Sequence, residues 1–166
     1  MEKLNNEILP KVAKDPQAKI GCKGKDKFWY GYKKTVRVDM QSGLINKVAI
    51  TPANVPDSKV LKNVCPSRGV VFMDKGYATK EVLKLLRDKG CEDGVIRKNN
   101  MKDKDRDLDR WRSSIRSPYE RVFSKTARRV RYHSICKNQF VGFMEALSLN
   151  LKRLLVLDSP PLCLDV

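Results

Sequence analysis

The residue whose position most strongly suggests chemistry is Asp74, which directly follows the apolar run Gly69–Met73. Such a compact apolar run is typical of a buried strand. Open α/β sheets build their sites beyond the carboxyl ends of their strands, and a carboxylate in this place is a candidate functional group. A structural aspartate that caps the turn beginning at Lys75 is the alternative, and Asp74 taken alone favours that alternative.

Glu120 is the second candidate carboxylate, and it also has two interpretations. The tetrapeptide Ser117-Pro118-Tyr119-Glu120 has the form of a capping box with proline at the first helical position. Spacing alone therefore favours a helix that opens at Ser117, with Glu120 accepting a bond from an amide at its start. A functional role for Glu120 would compete for the same carboxylate oxygens.

The charge of the chain predicts a polyanionic partner. Lysine and arginine number 35 against 19 aspartates and glutamates, which gives a net charge of +16 over 166 residues. The excess is concentrated in residues 97–137 and 1–37, and the chain between them is nearly neutral. This distribution favours a nucleic acid as partner over a merely solvated surface. The candidate contacts are Lys33, Lys34, Lys125, Arg128, Arg129 and Arg131.

The elements that must position these residues alternate between strands and helices, which indicates an α/β fold. Residues 28–39 and 44–51 are rich in aromatic and β-branched residues and predict a hairpin. Downstream of Asp74, a helix capped by Thr79 and ended by Gly90 is expected. Short apolar stretches predict a helix over residues 55–64 and a strand over residues 94–97.

The C-terminal part is predicted to contain a solvated loop over residues 98–112, because almost every residue there is charged or polar. A helix opening at Ser117 follows, and a last helix runs from about residue 138 to 157. The apolar residues of the last helix lie on one seam, which predicts that they face the core. The members of this seam are Phe140, Phe143, Met144, Leu147, Leu151 and Leu154.

Asp74-Lys-Gly-Tyr77 resembles the second-aspartate motif of the DDE transposases that bacterial insertion sequences encode. Other motifs of that family stand in the expected order, so that the resemblance covers about residues 14–157. They are Lys14-Asp15-Pro16, Tyr30-Gly-Tyr-Lys33, Thr51-Pro-Ala-Asn54, Asp57-Ser58, Arg116-x-x-x-Glu120, Arg131-Tyr132 and Asn150-Leu-Lys-Arg153.

The resemblance implies a ribonuclease H-like fold, with a mixed sheet and flanking helices. In that family two aspartates and a glutamate hold two divalent ions, and hard oxygen ligands suit Mg²⁺ or Mn²⁺. Asp74 matches the second aspartate, Glu120 the glutamate, and Arg116 the arginine of the glutamate motif, which we expect to contact phosphate. The family's first aspartate has no match, because Asp15, Asp39 and Asp57 occupy other motif positions.

By this resemblance the first aspartate belongs to the first, central strand of such a fold, and we expect that strand to be missing here. We expect a basic polar leader over residues 1–27, a partial catalytic domain over residues 28–157 and a C-terminal tail over residues 158–166. The five cysteines have neither zinc-ligand nor redox spacing and are expected to be reduced. No apolar run predicts a signal peptide or a membrane span, which places the chain in the cytoplasm, associated with the nucleoid.

Three functions remain open at this stage. The first is a transposase, in a truncated or inactive copy, that binds transposon ends and cuts and joins DNA. The second is a catalytically dead DNA-binding remnant that associates with itself or with a full-length transposase and regulates it. The third, which needs no family resemblance, is a basic RNA-binding protein.

Overall fold

A computed structural model describes residues 14–24, 26–124 and 131–158. Its first sheet is antiparallel and contains β1 (Lys19–Lys23), β2 (Lys27–Val38) and β3 (Ile45–Pro52) in that order. Residues 27–31 of the long central strand β2 pair with β1, and residues 32–38 pair with β3. The predicted hairpin of β2 and β3 is confirmed.

Strand β1 was not expected, since it lies in the stretch that the sequence presents as a polar leader. Only five residues long, it carries Gly21, which argues against a strand on composition alone. The structure explains this glycine, because a Cβ atom there would come within 2.8 Å of the Trp29 ring and 2.7 Å of the Ala53 carbonyl oxygen. The division into leader, domain and tail stays a prediction.

The second sheet is parallel and pairs β4 (Gly69–Met73) with β5 (Cys91–Val95). It follows helix α1 (Asp57–Val64), and its two strands are joined by a 3₁₀ turn (Lys75–Tyr77) and helix α2 (Lys80–Asp88). The predicted cap of α2 is confirmed, because Thr79 Oγ1 accepts a bond of 3.3 Å from the amide of Val82. A buried apolar cluster holds these elements together; it includes Leu61, Val64, Met73, Val82, Leu86 and Val95.

The two sheets are not hydrogen-bonded to each other. Among the described residues, residues 32–38 of β2 have a strand partner only in β3, and β4 has one only in β5. Residues 32–38 of β2 and strand β4 therefore each have one edge without a strand partner among the described residues, and unpaired edges readily accept another strand. The mixed α/β class agrees with the sequence; the finer ribonuclease H-like assignment stays a prediction.

Helix α3 (Arg106–Ser124) corrects two predictions, the loop over residues 98–112 and the helix start at Ser117. The helix begins much earlier because Asp105 caps it, accepting bonds from the amides of Asp107 at 2.9 Å and Leu108 at 3.1 Å. Pro118 consequently lies inside the helix, where proline lacks an amide donor and costs about 3 kcal/mol. The contacts described below hold α3 on both sides of it.

Helix α4 (Ile135–Asp158) confirms the predicted last helix but reverses its faces. The seam expected in the core is exposed, and the buried residues are Asn138, Gly142 and Ala146. Gly142 allows the close approach, since a Cβ atom there would lie 3.2 Å from Val48 of β3. None of the helices in the described part of the chain is long and apolar enough to cross a membrane.

Candidate active site

The candidate site is a cleft of about 1050 Å³ between the two sheets. Its walls include residues 33–38 of β2 and residues 39–41 of the following turn on one side and residues 69–73 of β4 on the other. The two strand segments that have an unpaired edge therefore line the same space. Five charged side chains of the candidate set line it as well: Lys33, Lys34, Asp74, Arg116 and Glu120.

Asp74 lies at the carboxyl end of β4, where the sequence placed it. Its Oδ1 atom accepts a bond of 2.7 Å from the amide of Lys75 and so caps the 3₁₀ turn. The side chain is exposed in the cleft, which leaves its other oxygen open to a ligand. The two interpretations of Asp74 are thus compatible, since one oxygen serves the turn while the carboxylate still faces the cleft.

The Tyr77 hydroxyl is influenced by the negative charge around Asp74. Burial, together with the charges of Asp57 and Asp74, raises the pKa of this hydroxyl to about 12. Asp57 lines the same cleft and binds the Lys33 ammonium at 3.1 Å. The β4 end of the cleft therefore contains two carboxylates, one of them already neutralised by a lysine.

Glu120 does not form the expected capping box, because it lies well inside α3. Instead, its Oε1 atom accepts a bond of 2.5 Å from the guanidinium of Arg116, one helical turn earlier. The Glu120 side chain is 52% exposed, whereas Arg116 is 26% exposed. The Nε atom of Arg116 is buried without a hydrogen-bond partner among the described residues, so this guanidinium has unused donor capacity.

Helix α3 is held over the cleft by contacts on both sides of Pro118. After the proline, the Tyr119 hydroxyl donates to the carbonyl oxygen of Met40 at 2.5 Å. Before it, the Arg112 guanidinium donates to the carbonyl oxygens of Asp93 and Val95, each at 3.0 Å. These bonds tie α3 to the turn after β2 and to β5, and so fix where Arg116 and Glu120 enter the cleft.

A buried ionic network at the start of α3 escaped sequence reasoning. Arg97 binds Asp93 and Asp103 through its guanidinium, and its amide donates to Asp109 at 3.0 Å. Burial raises the pKa of Asp93, but the bond from Arg97, the bond from the Val95 amide and the charges of Arg97 and Arg112 together outweigh it and hold that pKa below its ordinary value. The network anchors the first turn of α3, and a sequence of alternating charges gives no signal of such pairing.

The basic residues predicted to contact nucleic acid are placed differently from one another. Lys33 binds Asp57 and the Val55 carbonyl oxygen at 3.2 Å, and Lys34 forms an ion pair with Glu145. Arg131 is exposed. Three further candidates, Lys125, Arg128 and Arg129, lie outside the described residues. A role of these side chains in binding DNA stays a prediction.

Asp15 and Asp39 serve structural roles. The buried Asp15 accepts bonds from the Tyr32 hydroxyl and the Ser134 amide, both at 2.9 Å, and so joins β2 to the start of α4. Asp39 accepts a bond of 2.8 Å from the amide of Ser42 in the hairpin turn. Both carboxylates thus accept structural hydrogen bonds, and Asp39 also lines the cleft.

The donor set suits a divalent ion only in part. Asp74 and Glu120 line one cleft and supply the hard oxygens that Mg²⁺ and Mn²⁺ prefer. Over the described ranges, however, no group of three histidine, cysteine, aspartate or glutamate side chains is arranged to hold a metal ion. The residues present fit an incomplete site with two of the three expected carboxylates.

Comparison with known proteins yields two matches. The family model for the transposase DDE domain matches residues 10–152. The transposase for insertion sequence element IS1106 of Neisseria meningitidis serogroup B is 29% identical over 133 residues, which is 73% of this chain and 46% of that relative. The chain therefore spans about half the length of that curated relative. No solved structure matches the chain.

Proposed function

The chain belongs to the transposase DDE domain family, and on that premise we propose that it is the C-terminal part of a DNA-cutting and DNA-joining domain, inactive by itself. The observation that carries the proposal is that Asp74 and Glu120 line the same cleft. They are 46 residues apart in sequence and come from different elements, a strand end and the last third of a helix. In our proposal both are metal ligands of the family's site.

The position of the cleft supports the proposal that a strand is missing. Over the described ranges, residues 32–38 of β2 pair only with β3 and residues 69–73 of β4 only with β5, and both segments contribute to the cleft wall. A strand between them would join the two sheets and satisfy both rows of backbone groups. We assign to that strand the family's first aspartate, beside Asp74, and this would complete the set of three carboxylates.

In the proposed reaction, the metal ions would act on the oxygens that react at phosphorus, and the side chains of this chain would bind the ions and the DNA. Two divalent ions, Mg²⁺ or Mn²⁺, would activate the attacking oxygen and stabilise the leaving oxygen of an in-line displacement at phosphorus. Asp74 and Glu120 would hold these ions. Arg116 forms an ion pair with Glu120. Its Nε atom has no hydrogen-bond partner among the described residues, and in our proposal the guanidinium contacts a DNA phosphate.

Double-stranded DNA at transposon ends is the partner that we propose. The net charge of +16 supplies the long-range attraction, and Arg131 is an exposed candidate contact. The second candidate function is a catalytically dead remnant that occupies such ends and regulates a full-length transposase. The incomplete carboxylate set of the described residues favours it for this chain alone.

An assay on supercoiled DNA that carries the element's ends tests the proposal. Two proteins are compared, the 166-residue chain and the same chain preceded by the upstream part of the IS1106 relative, each with Mg²⁺ and with Mn²⁺. We expect nicked or joined DNA only from the extended protein. The substitutions Asp74→Asn and Glu120→Gln should each abolish these products, while Glu92→Gln, at an exposed carboxylate on β5, should leave them unchanged.

Two results would contradict the proposal. Products from the short chain that disappear in both variants would mean that another acid completes the site. Products from the extended protein that persist in both variants would remove Asp74 and Glu120 from the chemistry.

A further inference from the structure

Strand β1 and residues 27–31 of β2 form a two-stranded ribbon, since β3 pairs with β2 only from residue 32 onward. Residues that lie directly opposite each other in an antiparallel pair have their side chains on the same face. One face of the ribbon therefore contains these three opposed pairs: Lys23 with Lys27, Gly21 with Trp29 and Lys19 with Gly31. All the lysines of the two paired segments lie on this face, which we call the lysine face.

The lysine face carries positive charge that no neighbouring carboxylate balances. Opposed residues have their Cβ atoms about 5 Å apart, and like charges in such a pair destabilise a sheet. Lys23 and Lys27 form such a pair, and both are exposed. In the described part of the chain, no ion pair includes Lys19, Lys23 or Lys27, and none includes Asp26 of the adjoining turn. An anion bound at this face would therefore relieve a repulsion between its lysines.

The lysine face continues the wall of the candidate active-site cleft. Lys23 and Trp29 line that cleft, as do Lys33, Asp74 and Glu120. The Lys33 ammonium lies 6.0 Å from the centre of the Trp29 ring, so the ring lies next to the charged side chains of the cleft. A long polyanion that leaves the cleft on this side therefore passes along the ribbon.

We propose that the lysine face binds the phosphate backbone of double-stranded DNA, beside the segment whose phosphate lies at Asp74 and Glu120. The inference rests on the proposed function, which supplies the ligand, and it adds a binding surface outside the carboxylate site. The dimensions suit a duplex, because five residue pairs span about 16 Å and a major groove about 12 Å wide admits a two-stranded ribbon. Lysine contacts to phosphate position the duplex and read no base sequence.

Salt titrations of DNA affinity test the inference on the full chain, with a short labelled duplex followed by fluorescence anisotropy. The ribbon variant combines Lys19→Gln, Lys23→Gln and Lys27→Gln. The control variant removes the same charge from exposed lysines of α1 and α2 that do not line the cleft, by Lys59→Gln, Lys80→Gln and Lys84→Gln. We expect the slope of log affinity against log salt to become shallower by up to about 2.7 in the ribbon variant, at about 0.9 per lost contact, and by less than about 1 in the control.

Protection of lysines in the wild-type chain is a second measurement, which needs no variant. We expect bound duplex to shield Lys23 and Lys27 from acetylation by an N-hydroxysuccinimide ester, read by mass spectrometry. Lys80 and Lys84 should react equally with and without DNA. Circular dichroism checks that both triple variants are folded, and the ribbon substitutions remove a like-charge pair from the sheet.

The outcomes separate this inference from the proposed function. Equal changes of slope in the ribbon and control variants, or acetylation of Lys23 and Lys27 that DNA does not change, would overturn the ribbon as a binding surface and leave DNA as the partner. Tighter binding of a single strand than of the duplex would overturn the assignment to double-stranded DNA. A wild-type chain that binds no duplex would overturn both the inference and the proposed partner.

Discussion

Substitution of Asp15 by asparagine should destabilise the protein, because this carboxylate joins three separate segments. One oxygen accepts bonds from the Tyr32 hydroxyl and the Ser134 amide, both at 2.9 Å, and the other accepts from the Gln17 amide at 3.2 Å. Asparagine offers one acceptor oxygen, so in either orientation it leaves at least one donor facing an NH₂ group. Bonds to a charged acceptor contribute about 1.5–3 kcal/mol each.

We therefore expect Asp15→Asn to lower the free energy of unfolding by about 2–3 kcal/mol at pH 7. For a chain of this size that corresponds to a melting temperature lower by roughly 5–10 °C. Asp26→Asn makes the same charge change at an exposed residue and should shift the melting temperature little. Thermal melts followed by circular dichroism compare the three proteins.

The pH dependence identifies the carboxylate as the cause. Burial raises the pKa of Asp15, but bonds from the Ser134 amide, the Tyr32 hydroxyl and the Gln17 amide outweigh it and hold the pKa below its ordinary value. The stabilisation is then fully present above the unfolded pKa of about 3.9 and is lost as pH falls through the folded pKa. The gap between wild type and Asp15→Asn should be constant from about pH 5 to 7 and shrink below about pH 4. A gap near zero at pH 7, or one that is unchanged at about pH 3, would refute this reasoning.

Three further predictions concern binding and the sheet edges. The logarithm of DNA affinity should fall linearly with the logarithm of salt concentration, by about 0.9 per phosphate contact. Arg131→Gln should reduce that slope more than Lys33→Gln, because the Lys33 ammonium already binds Asp57. A slope near zero in a filter-binding titration would contradict this prediction. Gln139→Ala should lower the free energy of unfolding in urea by about 1–2 kcal/mol, because the Gln139 side chain bonds the Ile50 amide and the Val48 carbonyl on the outer edge of β3. The control Asn100→Ala, at an exposed residue, should lower it by almost nothing. Equal losses in the two variants would contradict this role of Gln139. Adding the upstream part of the IS1106 relative should raise the midpoint of thermal unfolding and sharpen the transition. A sharp, high-temperature melt of the 166 residues alone would show that the two sheets need no further strand.

The parts of the fold that the sequence predicted are those set by local patterns. The hairpin, β4 and α2 each have a residue periodicity and a turn or cap within a few positions, and all three are confirmed. The predicted start of α3 at Ser117 was wrong because two local signals compete. Proline at position 118 marks a typical helix start, but the cap at Asp105 and the tertiary contacts of Arg112 and Tyr119 outweigh it.

Helix α4 shows a different limit. Its periodicity identifies the helix, but periodicity cannot say which face meets the sheet. Here the small residues Gly142 and Ala146 allow close approach, and the side chains of Gln139 and Asn150 satisfy the free edge of β3. The face of α4 that packs on the sheet is therefore the one that hydrogen-bonds to β3, and the more apolar face is exposed.

The candidate site was predictable to the extent that it rests on motifs. Asp74 and Glu120 were singled out by the family resemblance, and the structure brings both to one cleft. The ion pair of Glu120 with Arg116 and the network around Arg97 depend on how α3 packs against β5. Such contacts arise from tertiary structure and leave no periodic signal in the sequence.

Titration of the chain with Mn²⁺, followed by the paramagnetic resonance signal of the free ion, tests most directly whether Asp74 and Glu120 form one metal site. We expect a single weak site, because two of the three expected carboxylates are present. That site should disappear in Asp74→Asn and in Glu120→Gln and persist in Glu92→Gln. Mn²⁺ binding that is unchanged in both Asp74→Asn and Glu120→Gln, or a wild-type chain that binds no Mn²⁺, would contradict the account.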